Sequence, residues 1–205
     1  MANLPTSLVN ASDQQLWHYL RQGDESAFTA IFERYHRTLY NYGSKLTADS
    51  SLIEDAIQEV FIDIWRMHAT LLADINSIKF YLYRSLRRRI HRMQEKYQSD
   101  ERIDEVADEA TTPISATEES IQIEQESRVL LHKRIQELIA NLPKRQAEAL
   151  TLYYFDDFSI QDIAQIMDVN EKSVRNFIHR ALTSLRQNRN WLIGFLLILW
   201  LLMSL

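Results

Sequence analysis

Glycine and proline are scarce in this chain, with three of each among 205 residues. A sheet of many strands needs frequent tight turns, and glycine and proline supply most of the backbone conformations that such turns require. Their scarcity favours an all-α protein and removes every glycine-rich phosphate-binding loop. Hydrophobic residues make up 46% of the chain, which is ample for a folded core.

Apolar residues recur at helical spacing along residues 12–96. Ser12 or Asp13 can cap a first helix and Gly23 can end it. Three further amphipathic helices are expected to begin near residues 25, 51 and 77. Because four such helices bury their apolar faces against one another, we expect an N-terminal helical bundle.

Residues 97–127 contain ten acidic side chains, one basic side chain, Arg102, and few large apolar residues. Their formal charge is −9, and since the whole chain carries −5, the rest of it carries +4. This composition predicts an acidic flexible linker. The net charge of the chain is therefore no argument against a nucleic-acid partner.

Residues 128–189 return to helical spacing, and residues 158–182 have the layout of a helix-turn-helix. Ser159 can cap the first of its helices, Val169 fills the turn, and Val174 and Ile178 hold the second helix down. The outer face of that second helix carries donors suited to phosphates and base edges, namely Lys172, Ser173, Arg175, Asn176, His179 and Arg180. An ordinary helical hairpin with a solvated polar face is the alternative.

A second basic surface is predicted on the fourth helix of the bundle. With Leu82, Leu86, Ile90 and Met93 in the core, Arg84, Arg88 and Arg92 form an outward row, flanked by Arg87 and Arg89, with Tyr81 near its start. Arginines bind phosphates and aromatic rings stack on unpaired bases, which suits DNA that is being opened. A solvated basic face with a core tyrosine is the alternative.

The third helix bears Asp55, Gln58 and Glu59 on its polar side, with Trp65 further along. An acidic face beside a tryptophan can dock a protein partner, although solvated acidic faces are common. The sequence contains no cysteine, no His-Glu-x-x-His motif and no nucleophile elbow. We therefore expect no catalytic residue, metal site, cofactor or small-molecule substrate.

The order of these elements resembles the extracytoplasmic-function sigma factors of bacterial RNA polymerase, in particular the iron-citrate-type branch common in Bacteroidetes. Four motifs between about Asp13 and Gln187 carry the resemblance: Gly23-Asp-Glu-Ser-Ala-Phe28, Asp55-Ala-Ile-Gln-Glu-Val-Phe61, Tyr81-Leu-Tyr-Arg84 and Leu142-Pro-Lys-Arg-Gln146. The resemblance implies a non-enzymatic factor that binds core polymerase and directs promoter recognition, DNA melting and transcription initiation. It also implies an anti-sigma partner.

The resemblance assigns roles to the surfaces described above. It implies that residues 12–96 correspond to sigma region 2, with polymerase bound by Asp55, Gln58, Glu59 and Trp65. The upstream edge of the melted minus-ten element would meet Tyr81, Arg84, Arg87, Arg88 and Arg92, and the loop at about 67–77 would capture a flipped base. Residues 128–189 correspond to region 4, with residues 172–180 reading the minus-thirty-five element.

Several residues depart from the family pattern. Arg88 stands where an asparagine is usual and Arg92 where an aspartate is frequent, so the minus-ten preference does not transfer. Asp157 replaces a frequent glycine and Asp162 a frequent glutamate. A stand-alone helix-turn-helix regulator, with the bundle used for sensing or dimerisation, is the alternative function, and co-purification with polymerase separates the two.

Residues 190–205 form an apolar tail, and Trp191 to Leu205 contain no charge. At about 1.5 Å per residue such a helix is too short for a hydrocarbon core of roughly 30 Å. The tail can make a weak contact with a membrane or an anti-sigma factor, or it can fold back on the protein. A membrane-tethered adaptor that does not bind DNA is a third hypothesis for the function of the whole chain. Residues 1–12 do not have the pattern of a secretory signal. We expect a cytoplasmic protein that can associate with membrane through its tail.

Overall fold

The computed structural model of the chain describes residues 11–73, 75, 77–100, 138–139 and 141–187. Most of the predicted linker and the tail Trp191–Leu205 lie outside these residues. Every regular element in the described part is a helix, which confirms the predicted fold class. The chain divides into two compact units, one with the helices between residues 13 and 100 and one with most of the later helical residues.

The first unit consists of four α-helices and one short 3₁₀ turn. They are α1 (Asp13–Arg21), α2 (Glu25–Leu46), α3 (Ser50–Met67), the 3₁₀ turn (His68–Thr70) and α4 (Ile78–Asp100). Helix α4 therefore continues past residue 96, where the sequence predicts the linker to begin.

Short polar side chains fix where these helices begin. Ser12 forms a capping box with Gln15 at the start of α1, and the Asp24 carboxylate accepts hydrogen bonds from two backbone N–H groups of α2. Asp49 caps α3 through the N–H of Leu52. Each cap satisfies donors that the helix itself leaves unpaired. Between α1 and α2, Gly23 has a φ of +83°, a left-handed conformation that favours glycine.

The core of the first unit lies where α2 packs against α1, α3 and α4, and where α3 packs against α4. Gly43 lets α2 approach α3 closely, because a Cβ atom there would lie 2.7 Å from Cγ2 of Ile53. The core is formed by the predicted apolar stripes, with Leu16, Trp17, Leu20, Ile31, Leu39, Ile53, Ile57, Val60, Phe61, Ile64, Leu82, Leu86 and Ile90 all buried. Tyr83 is also buried and stacks on Tyr42 with ring centroids 4.5 Å apart.

The later helices are α5 (Lys144–Tyr154), α6 (Ile160–Met167) and α7 (Glu171–Gln187). The second unit contains α5, α7 and the part of α6 up to Ala164. Helix α5 packs against α7, and a buried apolar cluster contains Ile139, Leu142, Leu150 and Ala181. Ser159 and Asp162 exchange hydrogen bonds at the start of α6, so aspartate caps the helix where the resembled family frequently has glutamate. Asp168, between α6 and α7, has a φ of 54°, which aspartate tolerates better than most residues.

Candidate protein-binding and nucleic-acid-binding surfaces

Helix α3 presents an exposed polar face opposite its buried stripe. Asp55, Gln58 and Glu59 are all exposed along this face. Ile62 follows them at helical spacing and is 46% exposed, so an apolar side chain lies at the end of the acidic row. Sequence reasoning missed Ile62, although its spacing of four residues from Gln58 was the signal that placed it on this side.

Trp65 is half-buried rather than a freely projecting anchor. Its ring centroid lies 5.2 Å from that of Phe28 and 5.4 Å from that of His68, which stacks on it. The His68 ring is also hydrogen-bonded through Nδ1 to the Trp65 carbonyl oxygen at 2.7 Å. Trp65 therefore closes one end of an aromatic cluster, and only part of its ring is accessible to a partner.

The arginines of α4 lie in three different environments. Arg88 and Arg92 are exposed as the sequence predicts, whereas Arg84, at the start of the predicted row, is half-buried and its Nε atom is buried. Arg87, however, is only 6% exposed. It lies four residues after Tyr83 and three before Ile90, on the side of α4 that faces the core. Arg87 therefore does not flank the exposed row as the sequence predicts, and its contact with DNA stays a prediction.

Arg89 connects the arginine helix to the acidic helix. Its guanidinium donates one hydrogen bond to Glu59 at 2.8 Å and another to Asp63, so it forms ion pairs with two carboxylates of α3. These contacts fix the acidic face of α3 beside the basic face of α4. Sequence reasoning placed Arg89 beside the row without identifying these partners, because the pairing depends on how α3 and α4 align.

Tyr81 lies half-buried at the start of the arginine row. Its ring centroid is 5.3 Å from that of Trp17 in α1. Burial and the nearby carboxylate of Asp63 raise the pKa of the Tyr81 phenol, and a hydrogen bond with Ser85 opposes them. The hydroxyl therefore remains protonated at neutral pH and can donate a hydrogen bond.

The segment that follows α3 is tied to α1 by two hydrogen bonds. The indole Nε1–H of Trp17 donates to the Leu72 carbonyl oxygen and Nε–H of Arg21 donates to the Leu71 carbonyl oxygen, each at 2.9 Å. The side chain of Leu71 is buried, whereas Leu72 is 76% exposed. At Leu72, therefore, the backbone is held by a hydrogen bond while the side chain is exposed to solvent.

In the second unit, α7 exposes most of the predicted recognition residues. Lys172, Arg175, Asn176, His179 and Arg180 are exposed on it, and Ser173 is half-buried. The helix is held by Val174, Ile178 and Ala181 on its buried side. Arg175 pairs with the exposed Glu171 at 2.7 Å, one turn earlier on the same helix. Such an exposed pair is weak and can exchange for a phosphate or a base.

Sequence reasoning also missed an aromatic patch at the end of α5. Tyr153, Tyr154 and Phe155 are each more than a third exposed, and the two tyrosine rings meet edge to face at 4.9 Å. The chain then turns through Asp157, whose φ of 55° explains why the resembled family often has glycine there.

The described residues contain no group of three or more metal-ligating side chains placed to hold an ion. Among the same residues, no helix is both long and apolar enough to cross a membrane.

Two family models match the chain, and both describe parts of one kind of protein. The model for sigma-70 region 2 matches residues 31–99, and the model for sigma-70 region 4 matches residues 132–185. The chain belongs to the sigma-70 family. It is an RNA polymerase sigma factor that acts in promoter recognition. A stand-alone regulator would account for the helix-turn-helix but not for the region 2 match over α3 and α4.

Relatives that are similar over most of the chain agree with this assignment. RNA polymerase sigma-H factor of Pseudomonas aeruginosa is 27% identical over 183 residues, covering 85% of this chain and 92% of the relative. ECF RNA polymerase sigma factor SigW of Bacillus subtilis is 26% identical over 176 residues, covering 82% and 91%. Relatives of this kind support the extracytoplasmic-function subfamily, whose members are non-enzymatic initiation factors.

Two solved structures share the fold of the sigma factor. CnrH in complex with the cytosolic domain of CnrY matches with a TM-score of 0.56 and 14% identity, over 85% of this chain and 94% of that one. The sigma factor RpoE of Bartonella quintana in complex with the anti-sigma factor NepR matches with a TM-score of 0.59 and 19% identity, over 78% and 94%. At such identities the similarity concerns fold alone.

Proposed function

We propose that the sigma factor binds core RNA polymerase through the exposed face of α3. Asp55, Gln58 and Glu59 supply charge and hydrogen-bonding groups, and Ile62 adds an exposed apolar contact. Charged residues steer association and apolar residues at the centre of an interface contribute most of its affinity. The accessible edge of Trp65 borders this face.

The exposed arginine row of α4 would then meet the promoter. Arg88 and Arg92 extend into solvent, and Arg84 and the protonated Tyr81 lie at the N-terminal end of the row. This combination suits the upstream edge of a melting minus-ten element, where phosphates and unpaired bases occur together. Arg88 and Arg92 replace the residues usual at these positions in the resembled family, so they are candidates for a distinct minus-ten preference.

Helix α7 would read the minus-thirty-five element in the major groove. Arg175, Asn176 and His179 occupy the middle of its exposed face and are the candidates for base contacts, whereas Lys172 and Arg180 suit phosphates. Replacing Asn176 with alanine should relax one position of the element at a cost of about 1 to 3 kcal/mol. Ser184→Ala, at an exposed position near the end of the same helix, is the matched control.

One observation carries the proposal: an exposed acidic face and an exposed arginine row lie on adjacent helices that Arg89 joins. The test is transcription in vitro with core polymerase and the gene's own upstream DNA. Gln58→Lys should reduce polymerase binding and transcription together while leaving the fold intact. Gln14→Lys makes the same change at an exposed position of α1 and should alter neither. Equal activity of the two variants would contradict the assignment of α3.

The finer assignments also belong to this proposal. We assign the sigma factor to the iron-citrate-type branch, place residues 12–96 and 128–189 as its two functional domains, and expect an anti-sigma factor to regulate it in the cytoplasm. The relatives' fold supports the last point, because a solved structure of the same fold has an anti-sigma factor bound. Co-purification from the native cell tests for such a partner.

The apolar tail Trp191–Leu205 is proposed to make a weak membrane or anti-sigma contact. Its uncharged sequence follows Arg186 and Arg189, which suit anionic headgroups. Removing residues 191–205 should abolish flotation with anionic liposomes and leave promoter-directed transcription intact. Flotation that survives the truncation would contradict the membrane contact.

A further inference from the structure

We propose that Trp17 and Arg21 of α1 are positioning residues for promoter opening, because they hold the segment after α3 in the conformation that binds an unpaired minus-ten base. This inference rests on the proposed role of α4 in binding the minus-ten element, and on the expectation from the family resemblance that the loop at about 67–77 captures a flipped base. It goes further by assigning a function to α1, which precedes the residues matched by the region 2 model.

The first step concerns the two hydrogen bonds from α1. They fix consecutive carbonyl groups, those of Leu71 and Leu72, across separations of 50 and 55 residues in sequence. The 3₁₀ turn ends at residue 70, so these carbonyls have no helix to pair them. Trp17 is 2% exposed, and an indole donor buried to this extent needs an acceptor. The hydrogen bond therefore constrains both the Trp17 side chain and the Leu72 carbonyl group.

The second step concerns the exposed side chain of Leu72. Exposed apolar side chains in irregular segments ordinarily move among many rotamers and backbone conformations. Here the backbone is anchored on both sides of the residue's Cα atom, by the buried Leu71 side chain and by the Trp17 hydrogen bond to the Leu72 carbonyl. An apolar side chain presented in a fixed place can pack against a base that has left the stack. Ordering it before binding lowers the entropic cost of that contact.

The third step connects this segment to the arginine row. The ring of Trp17 contacts Tyr81 as well as donating to Leu72, so one side chain spans both parts of the proposed minus-ten surface. The distance between Leu72 and the start of the row at Tyr81 is thus set through Trp17. A shift of α1 would change the distance between Leu72 and the arginine row. One DNA strand could then no longer contact both.

The test uses the holoenzyme and a pool of single-stranded DNA randomised over the minus-ten element. Trp17→Phe keeps an aromatic ring beside Tyr81 and removes the indole donor. We expect a loss of about twofold to tenfold in the preference at one base position, which is the range of one hydrogen bond. Affinity for core polymerase should not change. Arg21→Met, which removes the second donor, should flatten the same position.

Tyr35→Phe is the control for a purely structural effect. The Tyr35 hydroxyl donates to Asp13 at 2.5 Å, so this variant also removes one hydrogen bond between α1 and the rest of the bundle, but one that does not reach the segment. It should leave the base preference unchanged. Equal base preferences in all three variants and the unaltered protein would overturn the positioning role. If the unaltered holoenzyme itself shows no minus-ten preference, the proposed function of this surface fails instead.

Discussion

Neighbouring arginines of α4 differ in their surroundings, and this difference leads to a first prediction. Arg88→Ala and Arg92→Ala should each weaken promoter binding by the holoenzyme and reduce its salt dependence by about one counterion, with the free energy of unfolding changed by less than about 0.5 kcal/mol. Arg87→Ala should instead lower the free energy of unfolding by about 2 kcal/mol or more, because it removes a buried side chain that packs in the core and interacts with a neighbour there.

Fluorescence anisotropy of promoter DNA at several salt concentrations measures the first effect, and urea unfolding measures the second. A normal salt dependence in Arg88→Ala would show that its exposed guanidinium contacts no phosphate.

Tyr35 leads to a second prediction, which concerns pH. Burial, the hydrogen bond to Asp13 and the charge of that carboxylate all raise the pKa of the Tyr35 phenol above its ordinary value. The folded protein therefore keeps a proton that the unfolded chain loses near pH 10, and this contribution to stability is complete below that pH and is lost as the pH rises above it. Tyr35→Phe should be less stable than the unaltered chain at pH 7, and the gap should narrow above about pH 10. Urea unfolding across this range measures the gap, and a constant gap would contradict the assignment.

At the scale of helices, Gly43 sets the distance between α2 and α3, which gives a third prediction. A Cβ atom at residue 43 would lie 2.7 Å from Cγ2 of Ile53, too close for the helices to keep their positions. Gly43→Ala should cost about 1 to 3 kcal/mol of unfolding free energy, the range for overpacked cores. Since Ile53→Ala removes the clashing atom, the double variant should lose less than the sum of the single losses. Strictly additive losses in urea unfolding would mean that the clash is relieved elsewhere.

Helix positions in the bundle were predictable because local signals determine them. Ser12 begins α1 and Gly23 follows its end as the sequence predicts, and the apolar spacing of Ile53, Ile57 and Ile64 identifies the buried side of α3. These signals depend on residues within one or two turns of each other.

The environment of side chains at the edge of each stripe was not predictable in this way. Tyr83 and Arg87 are buried, whereas Ile62 is exposed. The packing of neighbouring helices determines how much of each helix's circumference is buried. Tyr83 finds Tyr42 to stack on, and Arg89 finds two carboxylates of α3, neither of which is visible from spacing alone. Tertiary alignment therefore determines which predicted site residues remain free for a partner.

For the whole molecule, charge is distributed unevenly among the two helical units and the acidic sequence between them. The two helical units contain the exposed arginines of α4 and the basic face of α7, whereas residues 97–127 carry −9. If those acidic residues compete with DNA for the basic faces, promoter affinity of the holoenzyme should depend on salt less steeply than its arginine contacts alone require.

The last prediction concerns how the chain is cut by a protease. Residues 97–127 offer a glutamate-specific protease seven glutamates in a sequence poor in large apolar residues, whereas trypsin has a single site there, Arg102. Because α4 extends to Asp100, we expect the first cuts to fall at the glutamates between Glu101 and Glu126. Two resistant fragments that correspond to the helical units should remain. Mass spectrometry of the early products locates these cuts, and the urea-unfolded chain, cut at glutamates throughout, is the control. First cuts inside α1 to α4 would contradict the resistance expected of the first unit. Equal resistance of residues 101–127 would show that the acidic sequence packs as structure and shields the arginine row until polymerase displaces it.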